Sequence, residues 1–314
     1  MSFTTEIKQE ITQNGVELPC CAVALLSAYM RLSGSLVRIN GKMGFEFATD
    51  NEEIANFIVD LFNSYYGTDI SELDVEDDRL NNSDRYTGTV FGEQATSILC
   101  DIGCLSYTED GSLNVEYALD KYLVENECCK KAYIKGAFLG GGNITIPVHQ
   151  NSKTGYHLEV SFPARITADN FLELLAYFNI DAKITERKDK FVVYIKSSEG
   201  IKDFLALLGL NKSVLQLTDI ICQKEFISRI NRQRNCDLGN LNKQMLASEK
   251  QIAAFEKIEK NLGIDKIDSQ LAEALRARKE YPEDTLEELS KRLGITKSCL
   301  NHRLRKLMSI ADKL

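Results

Sequence analysis

Two stretches, LLSAYMRLSGS from Leu25 to Ser35 and YIKGAFLGGGN from Tyr133 to Asn143, lie 108 residues apart and repeat one another. The register extends outward without a gap. Cys20-Cys21 falls on Cys128-Cys129, Ala24 on Ala132, Ala28 on Gly136, Met30 on Phe138, Gly34 on Gly142 and Leu36 on Ile144. Each copy reads as a short helix of apolar and small residues that stops at a glycine. Small residues at every third or fourth position let two helix backbones come close. Gly34 and Gly142 are expected to close their helices as C-terminal caps, with positive φ.

The flanks repeat as well. After the first helix come strand-like runs at Leu36–Asn40 and Gly44–Thr49. An amphipathic helix follows at Glu52–Tyr66, with Ile54, Phe57, Ile58, Leu61 and Phe62 on one face. A strand at Tyr86–Phe91 and a helix at Gln94–Cys104 close the half. The second half runs His157–Phe162, Ala168–Phe178, Ala182–Thr185, Phe191–Lys196 and Gly200–Leu210 in the same order. The expected fold is α+β: a duplicated α/β saddle over residues 1–215, with pseudo-repeats of about 1–105 and 106–215 sharing one core, followed by an all-α part.

The paired helices resemble the signature helices of LAGLIDADG homing endonucleases. In that family the acid just before each terminal glycine holds the metal ions that cut DNA. Ser33 and Gly141 occupy those positions here, and two residues earlier stand Arg31 and Leu139. Metal-assisted phosphodiester cleavage needs hard oxygen ligands held close together. A hydroxyl, a bare glycine and an arginine do not supply them. The resemblance therefore implies the fold without the activity, and no catalytic residue is expected. Glu46 and Glu159 fall on equivalent strand positions and are the remaining acids for a residual nuclease.

There is no run of about 18 apolar residues and no basic-then-apolar N-terminus, so a soluble protein without membrane contact is expected. The nine cysteines are odd in number, none in CxxC spacing, and most sit within apolar helix patterns. They read as reduced thiols in a cytosolic core, with a redox role for the adjacent pairs as the lesser alternative. The three histidines, His149, His157 and His302, are scattered. No Cys/His spacing reads as a zinc site, and neither metal nor cofactor is expected.

The net charge of −8 hides an asymmetry: residues 222–314 carry 19 Lys and Arg against 14 Asp and Glu, leaving 19 against 32 in residues 1–221. A basic nucleic-acid module beside an acidic partner-binding domain has this signature. The C-terminal part is helical by pattern. Ser213–Ile230 is amphipathic and leads into Arg229, Arg232 and Arg234, a basic cluster in a helical linker over 216–240. Ser248 and Gln251 suggest a capping box opening a further helix that Gly263 ends. Another helix starts at Ser269 and stops before Tyr281-Pro282.

Then comes DTLEELSKRLGITKSCLNHRLRKL, Asp284 to Leu307, which reads as a helix-turn-helix within a DNA-binding domain over 241–314. Thr285 and Glu288 make a capping box, Leu286, Leu289 and Leu293 bury one side, Gly294 turns the chain, and Thr296 caps the second helix. That helix buries Leu300, Leu304 and Leu307. Its opposite face carries Ser298, Asn301, His302 and Arg305, flanked by Lys297, Arg303 and Lys306. Short polar groups reach base edges in the major groove while cations neutralise phosphates. Asn301 and Arg305 are the candidate base readers, and Lys297, Arg303 and Lys306 the candidate phosphate contacts.

With both halves present the chain resembles WhiA-type regulators, on CCKKAYIKGAFLGGGNI, NRQRNCDLGNLNK and SCLNHRLRKL. The resemblance implies a cytoplasmic, nucleoid-associated bacterial protein that binds double-stranded DNA and acts in cell division, chromosome segregation and transcription control, with sporulation in some relatives. Three classes stay open: a non-catalytic DNA-binding regulator, which is favoured; a residual nuclease; and an adaptor that docks a protein or ligand on the acidic N-terminal domain.

Overall fold

A computed structural model describes residues 2–39, 41–70, 73–78, 83–147 and 154–314. Asn40, placed at the end of an expected strand, and His149 lie outside them. The chain divides into two units, Met1–Lys224 and Glu225–Leu314.

The first unit is built twice. Helix α1 (Phe3–Asn14) precedes α2 (Pro19–Ser33), strands β1 (Gly34–Ile39) and β2 (Lys42–Thr49), α3 (Glu52–Tyr66), β3 (Asp74–Asp78), β4 (Ser83–Phe91) and α4 (Glu93–Asp101). After a small hairpin, β5 (Leu105–Tyr107) and β6 (Leu113–Val115), the second repeat follows. It comprises α5 (Glu127–Gly141), β7 (Gly142–Thr145), β8 (His157–Phe162), α6 (Arg165–Tyr177), β9 (Lys183–Arg187), β10 (Lys190–Ile195) and α7 (Ser198–Leu207). The sheets have orders β1-β2-β4-β3 and β7-β8-β10-β9, all pairs antiparallel. Gly34 pairs with Phe47 and Gly142 with Val160, so the duplication holds at the level of strand register.

Both repeats drain into one hydrophobic core. Leu25, Leu26, Tyr29, Phe45, Phe47 and Phe62 from the first meet Tyr133, Ile134, Phe138, Phe162, Phe171 and Phe204 from the second. Its axis is the pair α2–α5. A Cβ on Gly136 would stand 2.1 Å from the Leu25 carbonyl oxygen, so the helices touch backbone to backbone there. Only a residue without a side chain permits that approach.

The helix-ending glycines correct the expectation of positive φ. Gly34 has φ −93° and ψ 153°, and Gly142 has φ −85° and ψ 140°, both extended. Helix passes directly into strand. Space is what makes glycine necessary: a Cβ would fall 2.5 Å from the Met30 carbonyl oxygen at Gly34 and 2.5 Å from that of Phe138 at Gly142.

Among the described residues helix α1 has no α-helical counterpart in the second repeat, and it does not follow from the repeat pattern. Ser2 caps it by accepting from the Thr5 amide, and Phe3, Ile7 and Ile11 bury one stripe. It ties the halves together. The Thr4 hydroxyl donates to Asn143 Oδ1 at 2.9 Å and accepts from the Ile144 amide at 2.9 Å, satisfying backbone on the edge strand β7.

Helix α8 (Asn211–Asn261) is one element of 51 residues. The expected break before Ser248 does not occur. Ser248 lies in the helix interior, buried, and its hydroxyl donates to the Pro282 carbonyl at 2.6 Å, so the apparent cap residue serves a tertiary contact. The true start is capped from outside: the Glu10 carboxylate accepts from the Lys212 and Ser213 amides, both at 2.9 Å. The far end stops as expected at Gly263, with φ +83°.

The second unit adds α9 (Ser269–Glu280), α10 (Leu286–Arg292) and α11 (Lys297–Asp312) to the later part of α8. Phe255 and Ile258 of α8, Leu271 and Leu275 of α9, Leu289 of α10, and Leu300, Leu304 and Leu307 of α11 form its core.

Candidate nucleic-acid interface

The helix-turn-helix is assembled from local signals that agree with one another. The Thr285 hydroxyl accepts from the Glu288 amide at 3.1 Å, and Glu288 Oε2 accepts from the Thr285 amide at 2.8 Å, a reciprocal capping box. Gly294 turns the chain at φ +63°. The Thr296 side chain accepts from the Cys299 amide at 3.2 Å and starts α11. That bond leaves the other first-turn amides of α11 directed outward, at the end where a helix favours an anion.

A buried arginine fixes the turn ahead of α10. Arg278 is 3 % exposed, and its Nη1 donates to the Asp284 carbonyl at 2.6 Å. Arg292 Nε donates to Asp284 Oδ2 at 2.6 Å, and its guanidinium stands 4.0 Å over the Tyr281 ring. Lys257 Nζ donates to the Ala311 carbonyl near the C-terminal end of α11. Lys279 pairs with Glu259 and Lys291 with Glu287. Apart from Lys291, whose pair lies within α10, these cations position the helices.

The remaining cations of α11 are differently placed. Lys297, Ser298, His302, Arg305 and Lys306 are exposed and Asn301 is half-buried. None of the six side chains makes a hydrogen bond or ion pair with another described residue. The structure places one expected phosphate contact differently from its neighbours. Arg303 is turned inward, its side chain 11 % exposed; Nη1 donates to Glu273 Oε2 at 3.2 Å and Nη2 to Gln270 Oε1 at 3.2 Å, both on α9. At 3.6 residues per turn, position 303 lies about 140° round the helix from Ser298. It is three residues after Leu300 and four before Leu307, on the flank of the buried stripe. The α11 surface thus separates into a core stripe, an inward-bonded arginine, and an open face of Ser298, Asn301, His302, Arg305 and Lys306.

Arg229, Arg232 and Arg234 are exposed on α8. They sit within one continuous helix and do not form part of the α11 face by sequence or secondary structure.

The positions of the nuclease acids on the saddle are filled differently. The Ser33 hydroxyl donates to the Gly140 carbonyl at 3.1 Å. A Cβ at Gly141 would stand 2.7 Å from the Ser161 carbonyl oxygen and 2.5 Å from Leu32 Cδ2, so an acid there has no room. Arg31 donates to the Gly103 and Glu116 carbonyls and pins the β5–β6 hairpin to the helix pair. Glu46 and Glu159 do occupy equivalent positions, paired with Ser35 and Asn143. Each is held within its own sheet: Glu46 Oε1 accepts from the Ser35 hydroxyl at 2.9 Å, while Glu159 Oε2 lies 3.0 Å from His157 Nε2 and 3.8 Å from Arg187 Nη1.

Sequence reasoning also missed a cluster. Cys20, Cys21, Cys128 and Cys129 meet at one point, their sulfurs within 4.8 Å of one another. The spacing along the chain hid it, but the 108-residue register, which superposes one pair on the other, was the available signal.

Three family models match the chain: a WhiA N-terminal LAGLIDADG-like domain over residues 19–105, a WhiA LAGLIDADG-like domain over 130–227, and a WhiA C-terminal helix-turn-helix domain over 230–311. A relative from Alkaliphilus metalliredigens named "Probable cell division protein WhiA" is 34% identical, covering 100% of this chain and 98% of the relative. One of the same name from Clostridium acetobutylicum is 33% identical over the same shares. The crystal structure of full-length DUF199/WhiA from Thermatoga maritima superposes with a TM-score of 0.58 at 22% identity, covering 100% of this chain and 99% of that one, which shows the shared fold.

Proposed function

Because this chain belongs to the WhiA family, we propose that it is a non-catalytic, sequence-specific binder of double-stranded DNA that regulates transcription in the service of cell division and chromosome segregation. The observation that carries this reading is the open face of α11. The buried leucines of α11 and the inward-bonded Arg303 occupy its other faces. The face that remains is polar, cationic and adjacent to a capped helix N-terminus. Asn301 carries the amide that pairs with an adenine edge and Arg305 the guanidinium that pairs with a guanine edge. Lys297 and Lys306 neutralise flanking phosphates, and the outward amides of the first turn of α11 add a further phosphate contact. Arg303 orients α11 on α9. Arg229, Arg232 and Arg234 supply backbone attraction without reading sequence. Nucleoid association follows from such binding.

The LAGLIDADG-like unit acts as a scaffold. Ser33 and the occluded Gly141 offer no paired acids, and Glu46 and Glu159 are engaged by their own repeats. The acidic excess of residues 1–221 favours a protein partner on this unit over a second polyanion.

DNase footprinting of the full chain on fragments of its own genome tests the reading. Discrete protected sites, lost on combined Asn301→Ala and Arg305→Ala substitution in a folded protein, are expected. Uniform coating of every fragment, unchanged by those substitutions, would remove sequence-specific recognition from α11.

A further inference from the structure

The signature helices have a second shared end. Cys20 and Cys21 occupy the second and third positions of α2, and Cys128 and Cys129 the second and third positions of α5. Neighbouring side chains on one helix diverge by about 100°. Two adjacent pairs converge on one point only because the helix pair brings their first turns together. All four sulfurs lie within 4.8 Å of one another, and those of Cys128 and Cys129 are 3.9 Å apart. A tetrahedral zinc ion with four thiolates at about 2.3 Å requires sulfurs about 3.8 Å apart. The set is therefore already close to the size of the coordination shell.

We propose that Cys20, Cys21, Cys128 and Cys129 form a four-thiolate zinc site that clamps the first turns of α2 and α5 together. The donor set is entirely sulfur, which selects a soft or borderline ion over magnesium or calcium. The surroundings suit the charge of the cluster. Four thiolates around a divalent ion leave two negative charges. They lie at the positive ends of two helices whose N-cap residues, Leu18 and Asn126, make no side-chain capping bond. Lys135 is half-buried nearby, and with Lys131, Cys21 and Cys128 it lines a surface cleft that gives an ion access. Cys21 and Cys129 are buried while Cys20 and Cys128 are exposed, so the site is anchored inside and open outside.

Burial pushes the Cys21 thiol up and that of Cys129 up to about 12, while hydrogen bonds from Cys21 and neighbouring thiols lower that of Cys128. Zinc is bound by thiolates, so binding displaces protons from protonated thiols and zinc affinity falls as pH is lowered. The site is separate from the lost nuclease centre. Thirteen helical steps separate Cys21 from Gly34, about 20 Å along the axis. What it would do is mechanical: join the two pseudo-repeats at the end of the helix pair remote from the glycines.

The test uses the full chain, expressed with zinc supplied and purified under reductant without chelator. Elemental analysis should find zinc in a one-to-one ratio with protein, released as thiols are titrated with a mercurial. Cobalt put in its place should give the near-ultraviolet thiolate-to-cobalt charge-transfer band of a four-sulfur tetrahedral site. A Cys21→Ser, Cys129→Ser double variant should lose the metal, whereas a Cys222→Ser, Cys236→Ser, Cys299→Ser variant should keep it. Because the first replaces buried residues, the exposed pair Cys20→Ser, Cys128→Ser is measured beside it, with circular dichroism to show that it folds. That variant should bind zinc at least tenfold more weakly, and chelator should lower the melting temperature of the wild type but not of this variant. A wild-type protein that remains metal-free after incubation with zinc overturns the proposal. So does zinc retained by the folded Cys20→Ser, Cys128→Ser variant with unchanged affinity, copper found in place of zinc, or disulfides among these four residues in cells lysed directly into alkylating agent.

Discussion

The α2–α5 pair and helix α11 are both made of short helices that pack an apolar stripe, yet they place their polar groups in opposite ways. On the helix pair, polar groups are turned onto the protein itself. Arg31 holds two carbonyls of the β5–β6 segment, Ser33 holds Gly140, and Gly141 has no room for a side chain. On α11 the buried stripe is narrow and one-sided, and Ser298, Asn301, His302, Arg305 and Lys306 make no hydrogen bond or ion pair through their side chains with another described residue. Surface that has bonded to its own protein holds a fold, and surface that has not is free to meet another molecule. The same contrast recurs within α11: Arg303 and Arg305 are two residues apart, one fixed to Glu273 and Gln270 and the other open to solvent.

The comparison can be broken most forcefully at its buried stripes. Leu304→Ala should cost about 2–5 kcal/mol and abolish DNA binding by unfolding the second unit, as read by urea denaturation with circular dichroism. Retained stability would mean that α11 is not held by that stripe. Introducing bulk into the helix pair should cost less. Gly136→Ala forces a Cβ against the Leu25 carbonyl, and Gly141→Asp forces one against the Ser161 carbonyl. Each should destabilise the first unit by roughly 1–3 kcal/mol in thermal unfolding. Gly141→Asp combined with Ser33→Asp should yield no plasmid nicking in magnesium or manganese, and nicking would return the saddle to the nucleases.

The open face should respond in binding rather than in stability. Asn301→Ala and Arg305→Ala should each weaken specific binding by about 1–3 kcal/mol with melting curves unchanged; full discrimination between target and random DNA in both would assign base reading to other residues. Arg303→Ala sharpens the contrast: it should lower the stability of the second unit by roughly 1–2 kcal/mol through its lost bonds to α9 while leaving the salt dependence of binding as it was. Lys306→Ala should do the reverse and by the smallest margin, flattening the slope of log affinity against log salt by about one. Equal salt slopes for the two variants would erase the distinction between them.

The amino-acid sequence by itself determined the elements whose signals are local. The capping box of Thr285 and Glu288, the turn at Gly294, the cap at Thr296 and the stripe of Leu300, Leu304 and Leu307 were all legible, because each depends on residues three or four apart. The duplication was legible for a related reason: a repeat in sequence compels a repeat in strand order and register. What depended on distant partners was not. Ser248 resembles a cap in sequence, but Pro282 takes its hydroxyl. The real start of α8 is set by Glu10, some two hundred residues earlier. Arg303 resembles its exposed neighbours in composition, and only the position of α9 draws it inward. Gly34 and Gly142 were identified as required glycines for the wrong reason, since a dihedral preference and a steric limit leave the same mark on a sequence. The four cysteines meet because two helix N-termini converge across a core assembled from both repeats, a juxtaposition that chain spacing does not encode and that only packing in three dimensions decides.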